Sequence, residues 1–297
     1  MPSREEQQRL PAWFRIRLST TQKWNRIRNA VDSRNLHTVC RSASCPNKTE
    51  CWNAGTATFM ILGDICSRSC GFCSVPKGIP ANADHDEPRR IAEAIADLGL
   101  TYAVITSVTR DDLPDGGAGV FAATIRAVRS RVPGCGIEVL VPDFQGSHAA
   151  LQTVLAALPD VLNHNLETIP SLYARVRPQA DYRRSLSLLQ QAAACGAMTK
   201  SGLMLGLGEG REELIATLHD LRAVGCSILT LGQYLRPGRH HLPVEHYYHA
   251  DEFRELRQLA LNIGFRHVAA GPRVRSSYHA GTEYRRIGKL SDDESIS

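Results

Sequence analysis

The sequence predicts an α/β fold, an incomplete parallel (β/α)6-type, TIM-like barrel with N-terminal and C-terminal extensions. Three observations predict it. After Cys73, short apolar runs rich in β-branched residues alternate with helix-length stretches of period near 3.6. Strands that follow one another through helices run parallel with right-handed crossovers, and such a sheet is covered on both faces or closed into a barrel. The six or seven units between Ala57 and Ala270 fall short of the roughly 250 residues a full eightfold barrel takes.

Residues 1–56 form the N-terminal extension. Within residues 1–30, Arg4, Arg9, Arg15, Arg17, Lys23, Arg26 and Arg28 stand against Glu5 and Glu6, which accounts for the whole net charge of +5. Such a stretch reads as a solvated face, or as one that steers an acidic partner toward the barrel mouth. The barrel, 57–270, is built from candidate strands Ala57–Leu62, Ala103–Thr106, Ile137–Val141, Val161–Asn165, Lys200–Leu207, Ile228–Leu231 and His267–Ala270. Between them Ile91, Ile95 and Leu98 share one helical face, as do Leu214, Leu218 and Leu221, and Phe253, Leu256 and Ile263; these are core stripes. Residues 271–297 make the C-terminal segment, whose tail Ser291–Ser297 reads as disordered.

The chain has 297 residues, 43% hydrophobic and 22% charged, a balance that excludes collagen-like and disordered classes. No apolar run approaches the roughly 18 residues of a membrane span. Met1–Ala30 lacks the apolar stretch of a secretory signal, and Glu5 and Glu6 weigh against an organellar transit peptide. A reducing compartment is therefore expected: the cytoplasm of a bacterium, or an organelle in a eukaryote. Six of the nine cysteines lie between Cys40 and Cys73, where metal-binding thiolates are a better reading than disulfides. Cys135, Cys195 and Cys226 are isolated beside apolar segments and are expected to be small buried hydrophobes.

The crowded cysteines form two triads, Cys40, Cys45, Cys51 (C-x4-C-x5-C) and Cys66, Cys70, Cys73 (C-x3-C-x2-C). Structural zinc closes its shell at four ligands, and neither triad has an evident local fourth. A [4Fe–4S] cluster on three cysteines leaves one iron open. The second triad follows the first candidate strand, so its loop lies at the barrel mouth, where catalysis is expected. Cys66-Ser67-Arg68-Ser69-Cys70-Gly71-Phe72-Cys73, with its aromatic residue before the last Cys, resembles the signature of radical S-adenosylmethionine enzymes. That resemblance implies an iron that chelates the methionine moiety and an electron that cleaves the sulfonium to a 5′-deoxyadenosyl radical.

Leu36-His37-Thr38-Val39-Cys40, Cys45-Pro46-Asn47 and Glu50-Cys51-Trp52 resemble the auxiliary-cluster region of the lipoyl synthase family. The resemblance runs from about Pro11 to Ala280. It includes Val104–Leu113, Asp115-Gly116-Gly117, Asn163-His164-Asn165-Leu166-Glu167-Thr168, Thr199–Met204, Thr230–Leu235 and Arg275-Ser276-Ser277-Tyr278. It implies insertion of two sulfur atoms, at C6 and C8, into an octanoyl chain on a carrier-protein lysine, with two S-adenosylmethionine molecules consumed. Two [4Fe–4S] clusters are implied, the auxiliary one supplying the sulfur. Partners implied are octanoylated lipoyl-carrier domains (2-oxoacid dehydrogenase E2 subunits, the glycine cleavage H protein), an electron donor such as ferredoxin or flavodoxin, and a cluster-repair iron–sulfur carrier. Neither nucleic acid nor membrane is expected. The resemblance also places a serine of the Arg275–Tyr278 motif on the auxiliary cluster as a ligand able to leave; this is assigned to Ser277, with neighbouring Ser276 as the alternative.

Glu167 and Arg177 have the polar character to bind ribose hydroxyls and a carboxylate of S-adenosylmethionine, although Glu167 also fits a plain barrel-rim carboxylate. Asp115-Gly116-Gly117 reads equally as a turn near the methionine amine or as an ordinary loop. His240 and His241 read as rim residues. Gly206-x-Gly208 lacks the Gly-Lys-Ser/Thr that would make a phosphate loop. Arg41, Thr49, Leu235-Arg236-Pro237-Gly238 and Glu209-Gly210-Arg211 depart from the family pattern without touching a proposed ligand.

Overall fold

Among the described residues one sheet of eight strands organises the molecule, in the spatial order of the sequence. Its strands are β1 (His37–Thr38), β2 (Thr58–Ile61), β3 (Tyr102–Ser107), β4 (Gly136–Leu140), β5 (Val161–Asn163), β6 (Thr199–Leu205), β7 (Ile228–Gln233) and β8 (His267–Gly271). The computed structural model describes residues 20–285; Arg4, Arg9, Arg15, Arg17 and the tail Ser291–Ser297 lie outside the described residues. β1 runs antiparallel to β2, and β2 through β8 are parallel, with registers such as Phe59↔Ile105 and Gly202↔Thr230. The parallel strands number seven, the larger of the two counts the periodicity allows. β8 pairs with β7 and β1 with β2, so the barrel stays open between its edges.

The strands read as apolar runs because they are buried on both faces: every residue of β2, β5 and β7 is buried. The helices are α1 (Gln22–Ser33), α2 (Val39–Ser42), α3 (Lys48–Asn53), α4 (Glu87–Leu98), α5 (Ala118–Arg131), α6 (His148–Leu155), α7 (Tyr173–Val176), α8 (Tyr182–Ala194), α9 (Arg211–Ala223) and α10 (Ala250–Ile263). Their ends follow from local chemistry. Asp181 caps α8 by accepting from the Arg184 N–H at 2.7 Å, and α10 stops at Gly264, φ 106°. Ile91, Ile95, Leu214, Leu218, Leu221, Phe253 and Leu256 are buried against the sheet, each contributing about 1.5–3 kcal/mol.

The open side of the barrel is filled by the chain that follows β8. The Val274 carbonyl lies against Gly232, where any Cβ would collide with it. Ser276 Oγ accepts from Asn165 Nδ2 at 2.7 Å inside the barrel. Ala280 packs on Tyr102 and Val104, and Tyr284 stacks on Tyr102 with centroids 5.2 Å apart. This segment thus runs from the C-terminal ends of the strands to their N-terminal ends. There the floor is a buried polar group: Lys200 Nζ donates to both Glu138 oxygens at 2.8 and 3.1 Å, joined by Tyr102 Oη and Asn163 Nδ2.

Two expectations change. Cys135 and Cys226 are fully buried, but Cys195 is exposed, because it falls at the C-cap of α8 where the helix turns into solvent; Gln152 Nε2 donates to its sulfur. Lys23 and Arg26 line a cleft of 360 Å³ with Leu98, Gly99, Leu100, Thr101 and Tyr102, which lies at the N-terminal end of β3, away from the barrel mouth. Among the described residues no helix is long and apolar enough to cross a membrane.

Glu87 is the buried carboxylate at the base of the cysteine loop, accepting from the Leu62 N–H at 2.7 Å where β2 ends. Burial pushes its pKa from 4.5 up to about 7. A folded value above the unfolded one makes stability greatest below pH 4.5 and lower as pH rises through 7. Glu87→Gln keeps an acceptor without the charge. Its thermal midpoint is expected to overtake the parent's between pH 5 and 8, by up to about 3 kcal/mol in free energy; parallel pH profiles of the two proteins would refute this.

Candidate functional site

The polar groups gather at the C-terminal ends of the strands. β2 ends in left-handed Leu62 (φ 68°) and Gly63 (φ 89°), which swing the chain into the loop carrying Cys66, Cys70 and Cys73. The loop closes on itself, since Cys66 N–H donates to Pro76 O at 2.8 Å and Gly78 N–H returns to Cys66 O at 3.1 Å. Gly71 is clamped between Val176 O and Leu242 N, and a Cβ there would meet Leu242 Cδ1 at 2.9 Å. Cys66 Sγ accepts backbone N–H groups from Thr109 at 3.4 Å and Arg68 at 3.5 Å. Burial pushes the Cys70 thiol up and the Cys73 thiol up to about 11, so they are protonated until a cation takes the proton's place.

Arg68 anchors this loop from below. Its guanidinium is buried and binds Asp111 bidentately at 2.6 and 2.8 Å and Asp143 at 2.6 Å, while Arg184 takes the other Asp143 oxygen at 2.9 Å. Burial alone would raise the Asp143 pKa; the hydrogen bond from Arg68 and its charge outweigh it and hold the carboxyl well below the usual range.

Cys40, on α2, is buried; Cys45 and Cys51, flanking and on α3, are half-buried. Burial pushes the Cys51 thiol up to about 12, with Cys40 and Cys45 close enough to add to the effect. Ser74 Oγ donates to Ser42 O at 3.2 Å, tying the second cysteine loop to the first. Arg275 is half-buried between the two regions, facing Cys45 and Glu167, and desolvation lowers its pKa.

The third set lines the barrel interior. Glu167 sits at φ 67°, a left-handed position that a carboxylate residue holds only at a cost, kept there by pairing with β6 on both sides: its N–H donates to Gly202 O and its O accepts from Met204 N–H. Asn165 Nδ2 donates to Glu167 Oε1 at 3.1 Å. Burial raises the Glu167 pKa, against the pull of Arg177. Arg177 Nη1 donates to the carbonyls of Asn165 and Leu166 at 2.8 and 3.0 Å, and its guanidinium stacks over Tyr173. His164 donates through one ring nitrogen to Val141 O, and burial pushes its pKa down to about 4, so it is neutral.

These residues fit iron–sulfur clusters and a polar co-substrate. All six triad cysteines are free thiols, the soft donors such clusters take. Among the described residues no three His, Cys, Asp or Glu side chains converge on one point as a single zinc ion requires. Arg177 Nε, His164 Nε2 and Asn165 Oδ1 are buried without a hydrogen-bond partner, an arrangement that a polar ligand in the barrel would satisfy.

The structure brings Glu167 and Arg177 to the Cys70 side of the site, and the Arg275–Tyr278 segment to the Cys45 side. His241 is a rim residue, its Nε2 3.2 Å from Cys73 O. Asp115-Gly116-Gly117 has a local role: Asp115 accepts from the N–H groups of Gly117 and Gly119, and a Cβ at Gly117 would collide with Leu62. Sequence reasoning missed Arg68, Asp143, Asn165, His164, Arg275 and Glu50. All but Asp143 lie inside motifs already singled out, where the neighbouring ligands and carboxylates drew the assignment; Asp143 carries no local signal.

The Radical SAM superfamily matches residues 60–221, and the N-terminal domain of lipoyl synthase of that family matches residues 2–45. A lipoyl synthase of Rubrobacter xylanophilus is 54% identical over 98% of this chain and 92% of its own length. One from Chlorobium chlorochromatii is 55% identical over 92% and 94%. Among solved structures, methylornithine synthase shares the fold at a TM-score of 0.54 and 14% identity, over 94% of each chain.

Proposed function

This chain belongs to the lipoyl synthase family of radical S-adenosylmethionine enzymes, and from that premise we propose which of its residues carry out the sulfur insertion. Membership brings a [4Fe–4S] cluster, S-adenosylmethionine and a lipoyl-carrier substrate. In the proposed reading Cys66, Cys70 and Cys73 hold that cluster, and Cys40, Cys45, Cys51 and Ser277 hold a second, auxiliary one. The chain divides accordingly into 1–56, carrying the auxiliary cysteines, the barrel 57–270 and the C-terminal segment 271–297.

When bound, the first cluster supplies the electron that cleaves S-adenosylmethionine, and the auxiliary one supplies the sulfur for C6 and C8 of the octanoyl chain. The protein's own groups bind and orient. Arg177, fixed by backbone carbonyls through Nη1, keeps its unpartnered Nε for a carboxylate. Glu167 offers its carboxylate to ribose hydroxyls. The Glu138–Lys200 floor and the C-terminal segment close the barrel interior to solvent, so its polar groups would act on the co-substrate at low dielectric. Ser276 Oγ is occupied by Asn165, which favours Ser277 as the hard, weakly held ligand. The carriers in this reading are E2 domains and the H protein, with a ferredoxin or flavodoxin as donor and an iron–sulfur carrier for repair.

The observation that carries the assignment is the adjacency of the two thiol triads on loops tied by Ser74 and Ser42, at the end of the barrel where Glu167 and Arg177 lie. Anaerobically purified protein is expected to hold about eight iron and eight sulfide per chain. Mass spectrometry of an octanoylated carrier domain, after incubation with reductant and S-adenosylmethionine, should record the gain of two sulfurs. A carrier that gains none while both clusters are present would sink the reading.

A further inference from the structure

After Gly271 the chain leaves the sheet, and up to Ala280 its own backbone bonds are local turns: Val274 N–H to Gly271 O, Tyr278 N–H to Arg275 O and Ala280 N–H to Ser277 O. Side chains therefore fix where this segment sits relative to the auxiliary cysteines. Asn47 Nδ2 donates to Arg273 O at 2.6 Å. Glu50 does more. Its Oε1 accepts from Tyr278 Oη at 2.6 Å, its Oε2 accepts from Arg273 Nη1 at 3.0 Å, and His279 Nε2 stands 3.7 Å from Oε1. Glu50 immediately precedes Cys51, and its partners at 273, 278 and 279 bracket Ser276 and Ser277 on both sides.

We propose that Glu50 is a positioning residue that latches the Arg275–Tyr278 segment onto the helix carrying Cys51, and so holds Ser277 against the auxiliary triad. The inference rests on the assignment of Ser277 made above. A carboxylate with one oxygen on a guanidinium and the other on a phenol makes charge-assisted bonds, the stronger kind, and its two partners restrain the serine pair from both ends. The third anchor, Asn165 on Ser276, fixes the inner side of the turn. With Glu50 removed, Arg273 and Tyr278 lose their common partner, while Cys40 in α2, Cys45 in the turn between the helices and Cys51 in α3 keep their backbone positions. The effect should fall on the fourth ligand alone.

The test uses the full-length protein with both clusters loaded, and reads the rate at which a ferrous chelator removes iron under anaerobic conditions. Glu50→Ala and Tyr278→Phe are each expected to release auxiliary iron about tenfold faster than the parent, the weight of one charge-assisted hydrogen bond. The electron paramagnetic resonance change that S-adenosylmethionine produces at the other cluster serves as internal reference and should persist. Combining Glu50→Ala with Ser277→Ala should release iron no faster than Ser277→Ala alone. Parent-like release from Glu50→Ala and Tyr278→Phe, with fast release from Ser277→Ala, would overturn the latch and keep the serine. Parent-like release from Ser277→Ala would overturn the serine assignment and the latch with it. Equal acceleration at both clusters with a lowered melting temperature would reduce Glu50 to a structural role and also overturn the proposal; Tyr278→Phe, which removes one hydroxyl, decides the matter if Glu50→Ala does not fold.

Discussion

Cys70→Ala is expected to reduce 5′-deoxyadenosine formation to below about one-thousandth of the parent rate and to lower iron from about eight to about four per chain. Cys70 is the middle thiol of its loop, half-buried between Arg177 and Glu167. Alanine offers no donor there, and neither flanking group is a soft ligand that could replace it. The measurements are chromatographic quantification of the nucleoside in the presence of dithionite and anaerobic iron analysis. The exposed Cys195→Ser is the control and should match the parent in both. A Cys70→Ala protein that keeps a tenth of the parent rate would remove Cys70 from the ligand set.

Asp143→Ala carries the largest expected cost in stability. The Asp143 side chain is fully buried and receives Arg68 on one oxygen and Arg184 on the other. Its removal leaves the buried Arg68 charge with Asp111 alone, at a cost of about 3–5 kcal/mol. The damage should also reach the cysteine loop, because Arg68 lies between Cys66 and Cys70. Since the folded pKa of Asp143 is depressed, its contribution is fully present above its ordinary value of 3.8 and is lost as pH falls through the lower folded one. Denaturant unfolding of parent and variant at neutral pH measures the difference, and a loss under 1 kcal/mol would show that Asp111 suffices. Replacing Arg68 and Asp143 together by Met and Leu should recover much of the loss, as exchange of a whole buried pair for apolar residues commonly does.

The strands were legible because burial on both faces writes them as continuous apolar runs; all seven candidates appear within one or two residues of their expected limits. The two cysteine triads were legible because six thiols crowded between Cys40 and Cys73 at short spacings stand apart from the three isolated cysteines. What escaped was set by pairs with no periodicity. Arg68 and Asp143 lie 75 positions apart and Asn165 and Ser276 lie 111 apart, so nothing local connects them. The left-handed backbone of Glu167 also left no trace, since acidic residues seldom adopt it and pairing with β6 imposes it here. Cys195 was misread because apolar neighbours do not say on which side of a helix end a residue emerges. The basic start reads as a solvated face or as one that steers an acidic partner; of its residues, Lys23 and Arg26 line a cleft at the end of the barrel opposite its mouth, because α1 packs along α4 and α3.

The segment that fills the open side of the barrel has a consequence for the order of assembly. Asn47 waits for a residue 226 positions downstream and Glu50 for one 228 positions downstream. Domains fold from the N-terminus as synthesis proceeds, and contacts between distant residues close late. The thiols of the first triad are thus made within the first fifth of the chain but stay without their wall until translation is nearly complete. Newly made protein therefore passes through a stage in which the first triad lacks the segment that later packs beside it.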